Sequence, residues 1–129
     1  MLRVKTKVAT STIHGVGLIA DEFIPKDTVI WEHNDLIDRV YYFDKLNEVP
    51  EPGRAFLLTY GWREGKYFIV PGDNGRFVNH SFTPNCIKNG NVYVAARDIQ
   101  IGEEIVEDYS SYDDDFALYA QNLAHSSSG

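Results

Sequence analysis

Apolar and polar positions alternate from the first residues of the chain. In Leu2-Arg3-Val4-Lys5-Thr6-Lys7-Val8, the Leu, Val, Thr and Val fall on one side and the Arg, Lys and Lys on the other. That is the period of a half-buried strand. Thr28-Val29-Ile30-Trp31 predicts a second strand, entered through the turn Pro25-Lys26-Asp27. Leu36 to Phe43 is rich in β-branched and aromatic residues and reads as a strand or an extended arm. Glu51-Pro52-Gly53 interrupts the pattern, and Arg54 to Tyr60 then suits a short helix. Lys66 to Val70 predicts a strand, Pro71 to Gly75 a tight turn, and Arg76 to Val78 another strand. Lys88-Asn89-Gly90-Asn91 predicts a hairpin, because Asn-Gly accepts the positive φ of a type I′ turn. It joins Cys86-Ile87 to a strand from Val92 to Ala96. Ile99 to Glu103 turns into the strand Glu104 to Val106, and Phe116 to Ala124 reads as a short helix.

Short strands with frequent turns, few helices, no repeat and no linker predict a small, mostly β protein. The 129 residues suffice for one domain with a core, placed at 1–124. His125-Ser126-Ser127-Ser128-Gly129 reads as a disordered tail with the character of a cloning remnant.

Composition narrows the function. The net charge of −7 argues against nucleic-acid binding and fits a cationic partner. No apolar run reaches ~18 residues, so no membrane span is expected. The first residues lack the apolar block of a secretory signal. Cys86 is the single cysteine, which excludes an internal disulfide and a cysteine-rich zinc site. His14, His33, His80 and His125 are too scattered to pair as metal ligands. The expected location is intracellular, cytoplasmic or nuclear, and not secreted. Asp98 to Asp115 contains no Lys or Arg and ends in Asp113-Asp114-Asp115, a stretch that reads first as a solvated face.

Three segments carry candidate chemistry. Ser11 to Ala20 contains Gly15-Val16-Gly17, whose ordinary reading is a turn between strands. A dinucleotide fingerprint would need a helix after it and a third glycine, and neither is present. Asn79-His80-Ser81 by itself reads as a turn with a capping Asn and an exposed His. Gly102-Glu103-Glu104-Ile105-Val106-Glu107-Asp108-Tyr109 by itself reads as an acidic edge strand with a half-buried Tyr109.

Their order and spacing together resemble the SET-domain family of protein lysine methyltransferases. The matching pieces are Gly15-Val16-Gly17, then Arg76-Phe77-Val78-Asn79-His80-Ser81 with Pro84-Asn85, then Gly102-Glu103-Glu104-Ile105 and Asp108-Tyr109. Pro25-Lys26-Asp27-Thr28-Val29-Ile30 resembles a family turn in which Gly is usual where Asp27 stands. The likeness runs from about residue 3 to 116.

The resemblance implies a β-clip fold of small curved sheets with a C-terminal pseudoknot. It implies S-adenosyl-L-methionine as cofactor, S-adenosyl-L-homocysteine as product, and no metal. By the same likeness Asn79 holds the cofactor with its amide, and His80 through backbone contacts to the adenine. Arg76 and Phe77 line that pocket, and Gly17 lets the backbone approach, flanked by His14, Val16 and Leu18. Tyr60 lines the methyl-transfer site, and Tyr112 or Phe116 stacks on adenine. Tyr109 is the catalytic residue, orienting the amine. The expected lysine channel is formed by Tyr60, Glu107, Tyr109 and Tyr112. The reaction is an in-line attack of a neutral lysine amine on a sulfonium methyl, so alignment and deprotonation are what must be supplied. The partner is a lysine-bearing protein or peptide of basic character, drawn by the acidic stretch.

The chain departs from the family pattern in places. Phe82 stands where zinc-capped members carry Cys, which implies no zinc and a channel closed by the segment after Tyr109 or by a second subunit of a homodimer. Glu107 stands where Phe or Tyr is common, and Ser110 where Gly is usual. Residues 36–66, where substrate specificity usually lies, match nothing legible. Two other readings stand beside the enzyme: an inactive SET-like module that binds a peptide or protein, and a non-enzymatic β-clip domain.

Overall fold

The computed structural model describes residues 1–111. An N-terminal hairpin pairs β1 (Thr6–Thr10) with β2 (Val16–Ala20), closing with Thr10 opposite Val16. The turn uses Gly15 at φ +50°, a value that suits a residue without Cβ. β3 (Val29–Glu32) leads to a small sheet of β4 (Arg39–Tyr42), β5 (Trp62–Glu64) and β6 (Tyr67–Val70), ordered β4-β6-β5. The helix α1 (Gly53–Tyr60) stands before β5. The two-residue strand β7 (Asn79–His80) comes next, then the hairpin of β8 (Cys86–Asn89) and β9 (Val92–Ala95). β3, β9 and β8 form the second three-stranded sheet, in that order.

The last strand, β10 (Glu104–Glu107), decides how the site is built. It lies between β2 and β7, antiparallel to the first (Ile105 opposite Leu18) and parallel to the second (Val106 opposite Asn79). The late acidic segment is thus held between the two earlier motif segments. Asn85 clamps β10 in place. Its Nδ2 donates to the Glu104 carbonyl at 2.9 Å, and its Oδ1 accepts from the Val106 N–H at 2.9 Å. Asn85 is 2 % exposed, and these bonds answer the cost of burying its amide.

The main core gathers Leu18, Ile24, Ile30, Trp31, Tyr93, Ile99 and Ile105 from all around the chain. A second cluster of Leu46, Phe68 and Val70 lies in the region of the small sheet. Asp38 is buried among the loops nearby. It accepts from the Met1 ammonium at 2.7 Å and from the Asn34 and Gly72 N–H groups, each at 2.9 Å. Burial alone would raise its pKa. The ammonium, through hydrogen bond and charge, and the two N–H groups outweigh that and hold the carboxyl below its ordinary value.

The strand expected from Leu2 begins only at Thr6. Leu2 bridges Trp31, and Arg3 N–H donates to the Ile30 carbonyl at 2.8 Å, before the chain bends at Val4. One extended segment therefore serves β3 and then β2. The strand expected at Arg76 to Val78 is instead a 3₁₀ turn, Asn74–Phe77. The Asp73 carboxylate accepts from the Gly75 N–H at 3.0 Å and nucleates that turn. The pairing left for a strand is Asn79-His80 itself. At the Asn89-Gly90 hairpin the loop residues are Gly90 and Asn91, with positive φ at Gly90 only. That pattern belongs to type II′, not the expected I′. β5 was not foreseen, and the expected helix at Phe116 to Ala124 lies outside the described residues.

Candidate active site

β10 presents Glu104 on one side of the β2-β10-β7 junction. A Cβ placed on Gly17 would lie 2.5 Å from Glu104 Oε2 and 3.2 Å from Asn79 Nδ2. Glycine at 17 is what lets β2 approach this carboxylate. Ser11 Oγ donates to Glu104 at 2.8 Å and accepts from the Ile13 N–H at 2.9 Å. The Asn79 amide nitrogen faces four acceptors: Ser11 Oγ at 3.1 Å, the His14 carbonyl at 3.2 Å, the Val16 carbonyl at 3.0 Å and Glu104 Oε2 at 3.0 Å. An amide NH₂ has two protons, so this pole of the site holds more acceptors than donors.

On the other side, His80 is 8 % exposed and holds Tyr109 from behind. Its Nδ1 accepts from the Tyr109 backbone N–H at 3.0 Å, which places the proton of the neutral ring on Nε2. The ring also stands edge-on to Phe82, with centroids 4.4 Å apart. Burial pushes the His80 pKa down, against the attraction of Asp108, so the neutral form is favoured. The Tyr109 hydroxyl donates to the Val78 carbonyl, the residue just before Asn79.

Tyr109 opens onto a cleft with about 600 Å³ of empty space, open solvent at its mouth included. Tyr60, Trp62, Tyr93, Arg76 and Glu107 line it too. Tyr60 ends α1 and meets the Phe77 ring edge-on at 5.6 Å. The Arg76 guanidinium lies over Phe56, 5.4 Å from the ring centroid.

The expected site residues thus fall into two neighbouring groups. His14, Val16, Gly17 and Asn79 meet around Glu104, while Tyr60, Arg76, Glu107 and Tyr109 share the cleft. Phe77 and His80 do not line the cleft but pack against its Tyr60 and Tyr109, and the Leu18 side chain is wholly buried in the core, so only its backbone is left to face a ligand. Tyr112 and Phe116 lie outside the described residues. Ser11, Glu104 and Asn85 were not singled out. Glu104 and Asn85 stood within quoted motifs, but their roles depend on partners distant in the chain.

The arrangement of β2, β7 and β10 around paired Asn-His and Tyr segments defines a known class. The chain belongs to the SET-domain family, whose description matches residues 15–110. Among its relatives, the Schizosaccharomyces pombe "Histone-lysine N-methyltransferase, H3 lysine-4 specific" is 37% identical over 114 residues, covering 77% of this chain and 12% of that protein. The Caenorhabditis briggsae "Probable histone-lysine N-methyltransferase set-23" is 30% identical over 124 residues, covering 84% of this chain and 52% of that protein. The chain spans about half the length of the second relative and far less of the first. A crystal structure of a Plasmodium falciparum protein assigned as a histone methyltransferase shares the fold, with TM-score 0.62 and 23% identity over 84% of this chain and 95% of that one. No helix among the described residues is long and apolar enough to cross a membrane.

Proposed function

We propose that this chain is an S-adenosyl-L-methionine-dependent protein-lysine N-methyltransferase acting on a lysine of a protein substrate. The observation that carries the reading is the convergence on β10. Asn79 reaches the Gly15-Val16-Gly17 turn on one side, and His80 and Val78 fix Tyr109 at an aromatic cleft on the other. The names of the relatives support a histone or another basic protein as the substrate class.

The residues present fit the cofactor. The acceptor-rich pole around the His14 and Val16 carbonyls, Asn79 and Glu104 suits a cationic amino group such as the methionine portion carries. When bound, the cofactor supplies an activated methyl on a sulfonium. Asn79 and the Gly15-Val16-Gly17 backbone would hold its amino-acid end, and the His80 backbone its adenine, with Arg76 and Phe77 lining the same pocket.

The chain's own task is to prepare the amine. A lysine with a pKa of about 10.4 costs about 4–5 kcal/mol to neutralise at pH 7. A cleft walled by Tyr60, Trp62, Tyr93 and Tyr109 removes water and lowers that cost. The Tyr109 hydroxyl donates a hydrogen bond to the Val78 carbonyl, so its oxygen keeps lone pairs for an amine N–H. That favours positioning over proton abstraction. The His80 ring keeps Tyr109 in register with β7.

The test is methyl transfer from radiolabelled S-adenosyl-L-methionine to recombinant core histones and to a cell extract. Wild type is expected to label a protein band. Tyr109→Phe is expected to reduce labelling by roughly a hundredfold or more, as a misplaced reactant does, with cofactor affinity unchanged. Equal labelling by Tyr109→Phe would remove Tyr109 from its role. Cofactor binding without labelling of any protein would favour the inactive binding-module reading.

A further inference from the structure

The strand β4 reads Arg39-Val40-Tyr41-Tyr42 and stands at the edge of its sheet. It pairs with β6 on one side and with no strand on the other among the described residues. The register decides which backbone groups the open side presents. Phe43 N–H donates to the Lys66 carbonyl at 2.8 Å. Hydrogen-bonded residues alternate along an antiparallel ladder, so Tyr41 and Arg39 also bond to β6. The N–H and C=O groups of Val40 and Tyr42 therefore point away from the sheet.

Their side chains are also open. Val40 is 49 % exposed and Tyr42 59 %. Tyr42 and Tyr67 lie opposite each other on the face that carries Val40, with ring centroids 5.6 Å apart. Leu36, in the turn before β4, is 97 % exposed. Natural sheet edges are usually blunted by lysine, proline or a bulge. β4 contains no Lys or Pro, and its register with β6 is unbroken.

Charge selects the occupant of this edge. Arg39 opens the strand and Asp44 follows its end. Both are exposed, and neither has an ion-pair partner among the described residues. Arg63 is turned to the Gly65 carbonyl at 2.8 Å and lies over the Phe43 ring. A second β4 laid antiparallel about a two-fold through Tyr41 brings each Arg39 beside the other copy's Asp44. It also sets each Val40 opposite the other copy's Tyr42, where the outward backbone groups exchange N–H···O bonds. A parallel arrangement would bring like charges together.

We propose that β4 is the surface through which two copies of this chain pair, edge to edge and antiparallel. The two small sheets then form one continuous sheet with β5 at each outer edge. β5 carries Trp62, a wall of the cleft, so the pairing joins residues 36–66 of both copies in one body. The proposal does not depend on the methyltransferase reading.

Sedimentation velocity of the full chain from about 5 to about 500 µM tests it, since a small edge contact gives a weak dimer. Wild type is expected to pass from monomer to dimer over that range. The Val40 and Tyr42 amides should gain protection from hydrogen exchange as the dimer forms. Val40→Lys is expected to stay a folded monomer at every concentration. Arg39→Asp or Asp44→Arg alone is expected to weaken the dimer by about tenfold, because each spoils the ion pair on both sides of the two-fold. The double reversal should return it to within about threefold of wild type. These reversals fall on exposed side chains and decide the matter if Val40→Lys fails to fold. A monomeric wild type overturns the proposal and leaves the edge to another protein or to residues 112–129. A dimer that survives Val40→Lys overturns it too, as do single reversals that the double reversal does not rescue.

Discussion

Gly17→Ala is the most exacting test of how the site is assembled. The added methyl would sit 2.5 Å from Glu104 Oε2 and 2.7 Å from its carboxyl carbon. A carboxylate at the end of a long side chain could normally swing away at little cost. Here it is tethered by Ser11 Oγ at 2.8 Å and by Asn79 Nδ2 at 3.0 Å. Moving it loses at least one charge-assisted hydrogen bond, worth about 1.5–3 kcal/mol. Overpacking of a fitted site costs about 1–3 kcal/mol by an independent route. The two describe one event and are not summed, so the expected destabilisation is about 2–3 kcal/mol. Urea denaturation of Gly17→Ala, Glu104→Ala and the double variant measures it. In the Glu104→Ala background the nearest obstacle is gone and Asn79 Nδ2 at 3.2 Å remains, so the cost should fall by about 1 kcal/mol or more, the coupling expected of residues in contact. If Gly17→Ala costs the same in both backgrounds, the glycine is not there for Glu104 and the assembly argument fails.

The remaining predictions concern stability. The folded pKa of His80 lies below its unfolded value of about 6.5. Between the two the unfolded chain binds more protons, so the contribution is fully present above about pH 6.5 and is lost as pH falls toward the folded value. Urea unfolding between about pH 5.5 and 7 should show stability rising with pH, and His80→Gln should flatten that slope. Asp27 adopts φ +71°, the sole non-glycine residue with positive φ among those described. Asp27→Gly should raise stability by about 0.5–1 kcal/mol, less than the full left-handed penalty because Asp tolerates this region, and a thermal melt would register it. A lower melting temperature for Asp27→Gly would mean that the side chain contributes more than its backbone costs.

Much of this site is legible in the sequence alone. The Asn89-Gly90 hairpin, the helix ending at Tyr60 and the strand from Glu104 are local signals that correspond to elements of the fold, while the alternation from Leu2 is matched by a strand only from Thr6 onward. The turn usually built on Gly, occupied here by Asp27, is also where the unusual φ falls. What escaped was non-local. β5 is three residues long and too short for a period to emerge. Phe77-Val78 reads as strand by composition, but the Asp73 carboxylate wins locally by capping a 3₁₀ turn. Asn79 and Glu104 are 25 residues apart in sequence, and their amide-carboxylate contact depends on β10 slotting between β2 and β7. Gly17 seemed free for the sake of a ligand, and in the fold its missing Cβ makes room for Glu104. His80 was expected to act through its backbone, yet its ring also carries Tyr109.

The central claim is that Asn79, the glycine turn and the Tyr109 segment form one cofactor site. Calorimetric titration of the purified chain with S-adenosyl-L-methionine and with S-adenosyl-L-homocysteine tests it most directly, since no protein substrate need be known. The account predicts saturable one-to-one binding that is lost in Asn79→Ala. Absence of binding by a folded protein, or undiminished binding by a folded Asn79→Ala, would contradict it.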